Sequence, residues 1–459
     1  FNPLLQQIDN IAAPTQTIRG RLNRADQLSP TRRNRYMDNY LLVNHTPGQQ
    51  IHVRLSSRAI DTYLQIVDAN TGKVVIENDD IYPGWTLNSR LTFTVQDDRQ
   101  YLLRVTSYGS RETGAYRLET RSIRPAAIAG FDFNSGYGLV DAAAAVARAA
   151  GRDRPFRAVP DRRSKRFWGL NRVNAPESWA AGHTGDGVVV AVLDTGVDYT
   201  HPDLRRNIWR NRDEIPNNGI DDDRNGYVDD VRGWNFIENT NVPMDYDGHG
   251  THVAGTVAAV RNRFGATGVA PKAEIMPVNV ISGWFPMSFR QFDRNVSRGI
   301  RYAVENGADI ITMSLGNYPG EPTMRRTRAA LRFARRRGVV VTMASGNERQ
   351  DFGAIRPIQP ADFSKNDLGI AVGAIARDRQ MADFSTPAGR QRMDFVVAPG
   401  VDIFSTVPWG YGYASGTSMA TPHVAGVAAL MLSANPNLTP AQVERILRQT
   451  SSQQRISVV

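Results

Sequence analysis

The chain contains no cysteine in its 459 residues. That excludes disulfides, thiolate catalysis and cysteine-ligated zinc, and leaves packing and bound ions to stabilise the fold. Lysine is nearly absent as well: Lys73, Lys165, Lys272 and Lys365 are the only ones among 55 basic side chains, so arginine carries the positive charge. A net charge of +10 raises the question of a nucleic-acid partner. The arginines are spread along the chain, however, and no nucleic-acid motif accompanies them. Their densest cluster, 325–337, interleaves with Leu331, Phe333 and Ala334 in the manner of the wet face of an amphipathic helix. No nucleic-acid partner is expected. Nor does any run reach the ~18 consecutive apolar residues that a membrane helix needs, so no membrane span is expected. The chain opens on Phe1 without a basic-then-apolar leader, from which we expect an upstream segment to have been removed or omitted.

This length exceeds what one core usually serves, and the texture of the sequence changes along it. From 14 to 122 short alternating runs recur: Ile51, Val53, Leu55; Leu64, Ile66; Leu91, Phe93, Val95; Tyr101, Leu103, Val105. Turn clusters such as Pro47-Gly48, Asn70-Thr71-Gly72 and Thr113-Gly114 separate them. Period-two runs at this spacing predict a small antiparallel β-sandwich. A connector over 123–166 follows, basic and proline-containing beyond Gly151. From 167 to 459 apolar runs alternate with helical stretches. Segments 188–193, 275–280, 309–313, 339–343 and 370–375 read as buried strands, and 252–260, 294–306 and 325–337 as helices between them. That alternation predicts a doubly wound, mostly parallel α/β sheet with ligands at the carboxyl ends of its strands.

Three segments of this second region carry chemistry. Asp194 closes the first strand in Val-Leu-Asp-Thr-Gly-Val, His249 opens a helix in Asp-Gly-His-Gly-Thr-His-Val, and Ser418 opens another in Gly-Thr-Ser-Met-Ala-Thr-Pro-His-Val-Ala-Gly. A serine hydroxyl is a poor nucleophile near neutral pH; it needs a base in hydrogen-bond reach, and the base needs a third group to fix its tautomer. Ser418, His249 and Asp194 fit those roles. The motifs, in the order Asp, His, Ser, resemble the active-site signatures of the subtilisin family. The resemblance implies a serine endopeptidase, and in Ala344-Ser345-Gly346-Asn347 it implies that Asn347 donates its side-chain amide to the oxyanion. It further implies that Ser314, Leu315 and Gly316 pair with an extended peptide. Small residues at 314–316 and 344–346 would wall a first specificity pocket with room for a large apolar side chain, and Glu348 at its rim could accept a basic one. His249 and His252 as a zinc pair fail for want of a third ligand, and His423 reads as a core histidine. Two rivals are weaker. An inactive homologue used as a binding scaffold does not explain the intact Asp194, His249, Asn347 and Ser418, and an acid-active Ser-Glu-Asp peptidase is disfavoured by His249 in the base position.

Hard oxygen ligands crowd 217–230. Asp221, Asp223 and Asn225 stand at positions one, three and five of a calcium-loop pattern, with Gly226 at six, the Tyr227 carbonyl at seven and Asp229 at nine. Arg232 replaces the glutamate at twelve, so another carboxylate, with Asp230 the candidate, would have to complete a Ca²⁺ site. Asp203 and Asn262 match two ligands of the subtilisin family's tight calcium site, although the side-chain ligand that completes it is not evident near Ser164. Between 281 and 299 an apolar loop with Trp284, Phe285, Met287 and Phe289 could line a distant subsite or pack on its own domain.

The first region resembles the bacterial pre-peptidase C-terminal domain, through Asp61-Thr62-Tyr63-Leu64, Asn78-Asp79-Asp80 and Thr113-Gly114-Ala115-Tyr116-Arg117-Leu118, which implies an accessory attachment role. Segment 131–146 resembles the Gly-Tyr-Gly-Leu, Asn/Asp-Ala stretch that normally ends a subtilisin catalytic domain, yet here it comes first. A circular permutation is the expectation, with a helix at about 139–149 docking near a helix over 439–450. Protein substrates, a monomer, and an extracellular or periplasmic location follow from the same resemblance.

Overall fold

In the computed structural model the chain divides into two units, Phe1–Ala127 and Ile128–Val459. Described are residues 9–11, 15–43, 45, 49–79, 88–95, 99–123, 130–159, 165–262, 264–283, 287–318, 320–453 and 456. Pro14, Pro47-Gly48, Asp80, Ser164, Trp284 and Phe285 lie outside them. The boundary at 127/128 assigns most of the expected connector to the second unit.

The first unit contains a five-stranded and a four-stranded sheet. Pairings are antiparallel apart from Asp9–Ile11, which runs parallel to Asp38–Leu42. Alternation fixes which face is inward: Ile51, Val53 and Leu55 of one strand meet Leu64, Ile66, Leu103 and Val105 in one core.

The second unit is built on a seven-stranded sheet with the order Trp234–Asn235, Glu274–Asn279, Val189–Asp194, Ile310–Met313, Val340–Ala344, Ile370–Ile375, Phe395–Pro399. Every neighbouring pair is parallel. Helices crossing between strands cover both faces and give two cores, one centred on Val190, Val192 and the helix Thr417–Ala434, the other on Leu193, Met276 and the helix Phe289–Glu305. The edge strand Phe395–Pro399 and the hairpin of Ile403–Val407 with Gly410–Ala414 were not among the expected elements.

Segment 137–149 joins this unit out of sequence order. Leu139 bridges Val397 in parallel and Ser452 antiparallel. Tyr137 N–H donates to Phe395 O (2.9 Å), Val397 N–H to Gly138 O (2.9 Å), and Leu139 and Ser452 exchange two bonds of 3.1 Å. Gly138, at φ +100°, lies so close to Ser452 and Gln453 that a Cβ there would collide with their main chain. The helix Ala142–Ala149 then begins with Asp141 capping Ala144 N–H. Ala142, Ala145 and Val146 are fully buried in the core that holds Val424, Ala428, Val443 and Leu447. Alanine suits this position because small side chains let helices approach closely while favouring helix. Asn435 Nδ2 donates to Ala149 O (3.2 Å) at its end.

Candidate active site

Asp194 is the last residue of Val189–Asp194, and its side chain has no exposed surface. Its Oδ1 accepts from Thr195 N–H (2.8 Å) and from His249 Nδ1 (2.7 Å). His249 is the first residue of the helix His249–Ala258, placed there by a turn that Asp245 organises. Asp245 Oδ1 accepts from Thr195 Oγ1, Asp247 N–H and Gly248 N–H at 2.9–3.0 Å. Its Oδ2 accepts from Thr251 N–H (2.8 Å) and Oγ1 (2.6 Å). Sequence reasoning passed over Asp245; its place four residues before His249, at the start of a turn, was the available signal. Burial, the largest single influence on His249, disfavours its charged form, but the Asp194 carboxylate and hydrogen bond, with Asp247 and Asp245 nearby, outweigh it. The imidazole is pushed up to about 9.

Ser418 is the second residue of the helix Thr417–Ala434. Ser314 follows the strand Ile310–Met313, and the two serines are cross-bonded: Ser314 Oγ donates to Ser418 O (2.8 Å) and Ser418 Oγ to Ser314 O (3.3 Å). Met313 pairs with Leu193 across adjacent strands, so Asp194 and Ser314 leave the sheet side by side at its carboxyl end. His249 is bonded to the first and Ser418 to the second. Asn347 completes the cluster from beyond the next strand, Val340–Ala344. Its Oδ1 accepts from Thr417 N–H (2.9 Å) and Oγ1 (3.0 Å), which commits the oxygen and leaves the amide hydrogens for another acceptor. The Ser418 N–H is among the first four of its helix, which have no acceptor within the helix.

His252 and His423 take no part in a metal pair. His252 bonds through Nε2 to Ile403 O (2.9 Å) and His423 through Nδ1 to Met419 O (2.8 Å); burial lowers each to about 4, so both are neutral core groups. Met287 accepts from Asn295 Nδ2 at 3.8 Å, and Phe289 opens the helix Phe289–Glu305 and packs against the core.

The expected specificity pocket is narrower than its small walls suggest. Ser314–Gly316 and Ala344–Gly346 do flank the cluster, but Ile358 lies against Gly316 and Gly346. Glu348 is half-buried, and loss of hydration raises its carboxyl above the ordinary range; Thr386 Oγ1 donates to its Oε2 (3.3 Å).

In the acidic loop Asp221 and Asp223 come together with Glu214, which the sequence pattern did not include; one oxygen of each lies within 4.8 Å of the others. Three carboxylates at that spacing suit a hard cation. Glu214 also shapes the loop, its Oε1 accepting from Asp222 and Asp223 N–H and its Oε2 from Asp229 N–H. Asn225 sits within the turn, donating to Asp223 Oδ2 (3.0 Å), and Tyr227 packs against Trp234 and Tyr302. The Asp229 carboxylate accepts from Asn218 and Gly219 N–H. Asp230 does not serve as the completing ligand: it is buried and takes Tyr302 OH (2.6 Å), Asn211 Nδ2 (2.9 Å) and Asn225 Nδ2 (3.2 Å).

The residues of the second expected metal site are joined by hydrogen bonds. Asp203 and Asn262 do meet, but Asn262 Nδ2 donates to Asp203 Oδ1 (2.7 Å), while Ala266 N–H and Tyr411 OH (both 2.9 Å) donate to Oδ2. Phe264 N–H takes the Asn262 carbonyl oxygen (2.8 Å). Both oxygens of Asp203 are thus supplied with donors from within the protein.

A model of the subtilase family matches residues 185–458. The chain belongs to the subtilase family. It is 38% identical to Subtilisin E of Bacillus subtilis over 288 residues, covering 62% of this chain and 66% of that protein. The subtilisin of Bacillus pumilus is 38% identical over 288 residues, 62% of this chain and 91% of the relative. Subtilisin Savinase of Lederbergia lenta is 39% identical over 291 residues, with 62% and 91% covered. Among solved structures, a cold adapted subtilisin-like serine proteinase superposes with a TM-score of 0.50 at 30% identity, covering 64% of this subtilase and 94% of that chain.

Proposed function

We propose that this subtilase is a serine endopeptidase that hydrolyses peptide bonds of extended or unfolded proteins through an acyl-enzyme on Ser418. The observation that carries the reading is the 2.7 Å bond from His249 Nδ1 to buried Asp194, held one strand away from the Ser314–Ser418 pair. With Nδ1 engaged, Nε2 is the ring nitrogen left to act. Ser418 Oγ attacks the substrate carbonyl carbon and its proton passes to His249 Nε2, the imidazolium being stabilised by Asp194. The oxyanion takes its donors from Asn347 Nδ2 and Ser418 N–H, at a helix terminus whose dipole favours negative charge. In subtilisin, losing such an Asn costs ~10² to 10³ in rate, a figure we carry over rather than derive. Collapse breaks the C–N bond, and the leaving amine takes the proton from His249. Water then repeats the sequence and frees the acid. Ser314–Gly316 offers main-chain groups to an extended peptide as an added strand.

Glu214, Asp221 and Asp223 are the residues that would hold a Ca²⁺, which would tie the acidic loop to the core. Segment 130–150 stands in for the closing C-terminal element of the catalytic unit, making the chain a circular permutant. No described helix is long and apolar enough to cross a membrane, and family membership supports a secreted monomer. The sandwich serves attachment to substrate or surface.

Replacing Ser418 by Ala tests the mechanism. We expect peptide hydrolysis and labelling by a serine-directed phosphonylating reagent to disappear while circular dichroism is unchanged; turnover in the pure variant would reject Ser418 as nucleophile.

A further inference from the structure

We infer that Ile358 fills the first specificity pocket and restricts cleavage to bonds that follow small residues: glycine, alanine or serine. This rests on the endopeptidase reading above. The pocket beside Ser418 is the gap between two segments that leave neighbouring strands, Ser314–Gly316 after Ile310–Met313 and Ala344–Gly346 after Val340–Ala344. Taken alone, the glycines and serines of those walls leave a slot for a large side chain. The slot is taken. A Cβ added to Gly316 would collide with Ile358 Cδ1, and one added to Gly346 would meet Glu348 Oε2 first and come within 3.0 Å of Ile358 Cγ1 and 3.1 Å of Cδ1. One side chain therefore touches both walls at once.

Ile358 is held there by the main chain on both sides. Its own N–H donates to Ser345 O (3.0 Å) on one wall. The next residue reaches the other: Asn317 N–H donates to Gln359 O (2.9 Å), and Gln359 N–H to Asn317 Oδ1 (3.1 Å). A β-branched side chain on a segment pinned at two points has few rotamers in which to withdraw. Gly346, at φ +110°, holds a backbone conformation that L side chains rarely adopt, so this wall cannot be relaxed by a different residue there. A methylene too many in an apolar pocket costs about 10- to 200-fold in kcat/KM, and phenylalanine exceeds alanine by a whole ring.

The experiment compares kcat/KM of the full chain on peptide p-nitroanilides that differ only in the residue before the scissile bond (Gly, Ala, Leu, Phe), alongside Ile358→Gly and Ile358→Ala. We expect the wild type to favour Ala over Phe at least ten-fold. In Ile358→Gly the Phe-to-Ala ratio should rise at least ten-fold, with Ile358→Ala intermediate. A wild type that cleaves after Phe as well as after Ala overturns the inference even should both variants fail to fold, and so does a ratio unmoved in a folded Ile358→Gly. Failure of the endopeptidase reading looks different: no turnover on any of the four substrates and no labelling of Ser418.

Discussion

Leu139 is the residue on which the out-of-order segment can be tested most directly. It is fully buried and belongs to the core that also holds Phe395, Val397 and Met393. Its main chain spans Val397 and Ser452, so the cavity left by Leu139→Ala is walled by elements fixed from both sides and cannot easily collapse. That places the cost in the upper part of the range for buried Leu→Ala, about 3–5 kcal/mol. At ~2–4 °C per kcal/mol, the melting temperature should fall on the order of 10 °C. The comparison is best made by near-ultraviolet circular dichroism in a Ser418→Ala background, where self-digestion does not complicate the scan. As an internal control, Leu55→Ala empties a comparable site in the other unit. We expect the transition reported by Trp168 and Trp179, both in the second unit, to move only with Leu139→Ala. A drop of less than about 2 °C would refute the argument that segment 137–149 is part of the catalytic core.

Three further outcomes follow from the site. Because His249 must be neutral to accept a proton and its pKa is raised to about 9, kcat/KM should climb with pH along an ionisation near 9. The same shift contributes stability that is complete below the unfolded value near 6.5 and is lost as pH rises through about 9. Asp194→Asn should lower the rate by about 10⁴ and move the ionisation down, since burial is then opposed only by Asp247 and Asp245; a pH profile unchanged by the substitution would dismiss Asp194 as the cause. Excess EDTA should lower the melting temperature of the wild type but not of Glu214→Gln, as expected for an ion bound only by the native state; equal effects on both would place the ion elsewhere.

The parallel sheet and the site were legible for different reasons. Runs such as 188–193 and 370–375 are apolar on both faces because helices cover both, and that continuity predicted buried strands. The edge strand Phe395–Pro399 escaped because its neighbour on one side comes from residues 137–140, far away in sequence, so nothing local marks it as paired. Asp194, His249, Asn347 and Ser418 stood out by motif, and the structure sets them around one end of the sheet. Glu214 was missed because it lies seven residues before Asp221, outside any calcium-loop pattern, and reaches the site only through the fold of the loop. Asp203 and Asn262 stand together as anticipated, and Tyr411, more than a hundred residues on, adds a hydroxyl that no local pattern shows. Ile358 shows a third kind of limit. Small residues in a wall say how wide a pocket can be; what fills it is decided by another segment of the chain.

The junction of Leu139 with Ser452 also sets a schedule. Gln453 reaches back to Gly136 across 317 residues, and at ~5–20 residues per second a ribosome needs about 15 to 60 s to make that stretch. For most of that interval the alanine face of 142–149 is without the helices Thr417–Ala434 and Pro440–Thr450 that cover it. The catalytic unit can therefore close only when Pro440–Thr450 has left the exit tunnel, long after the segment it packs against was made.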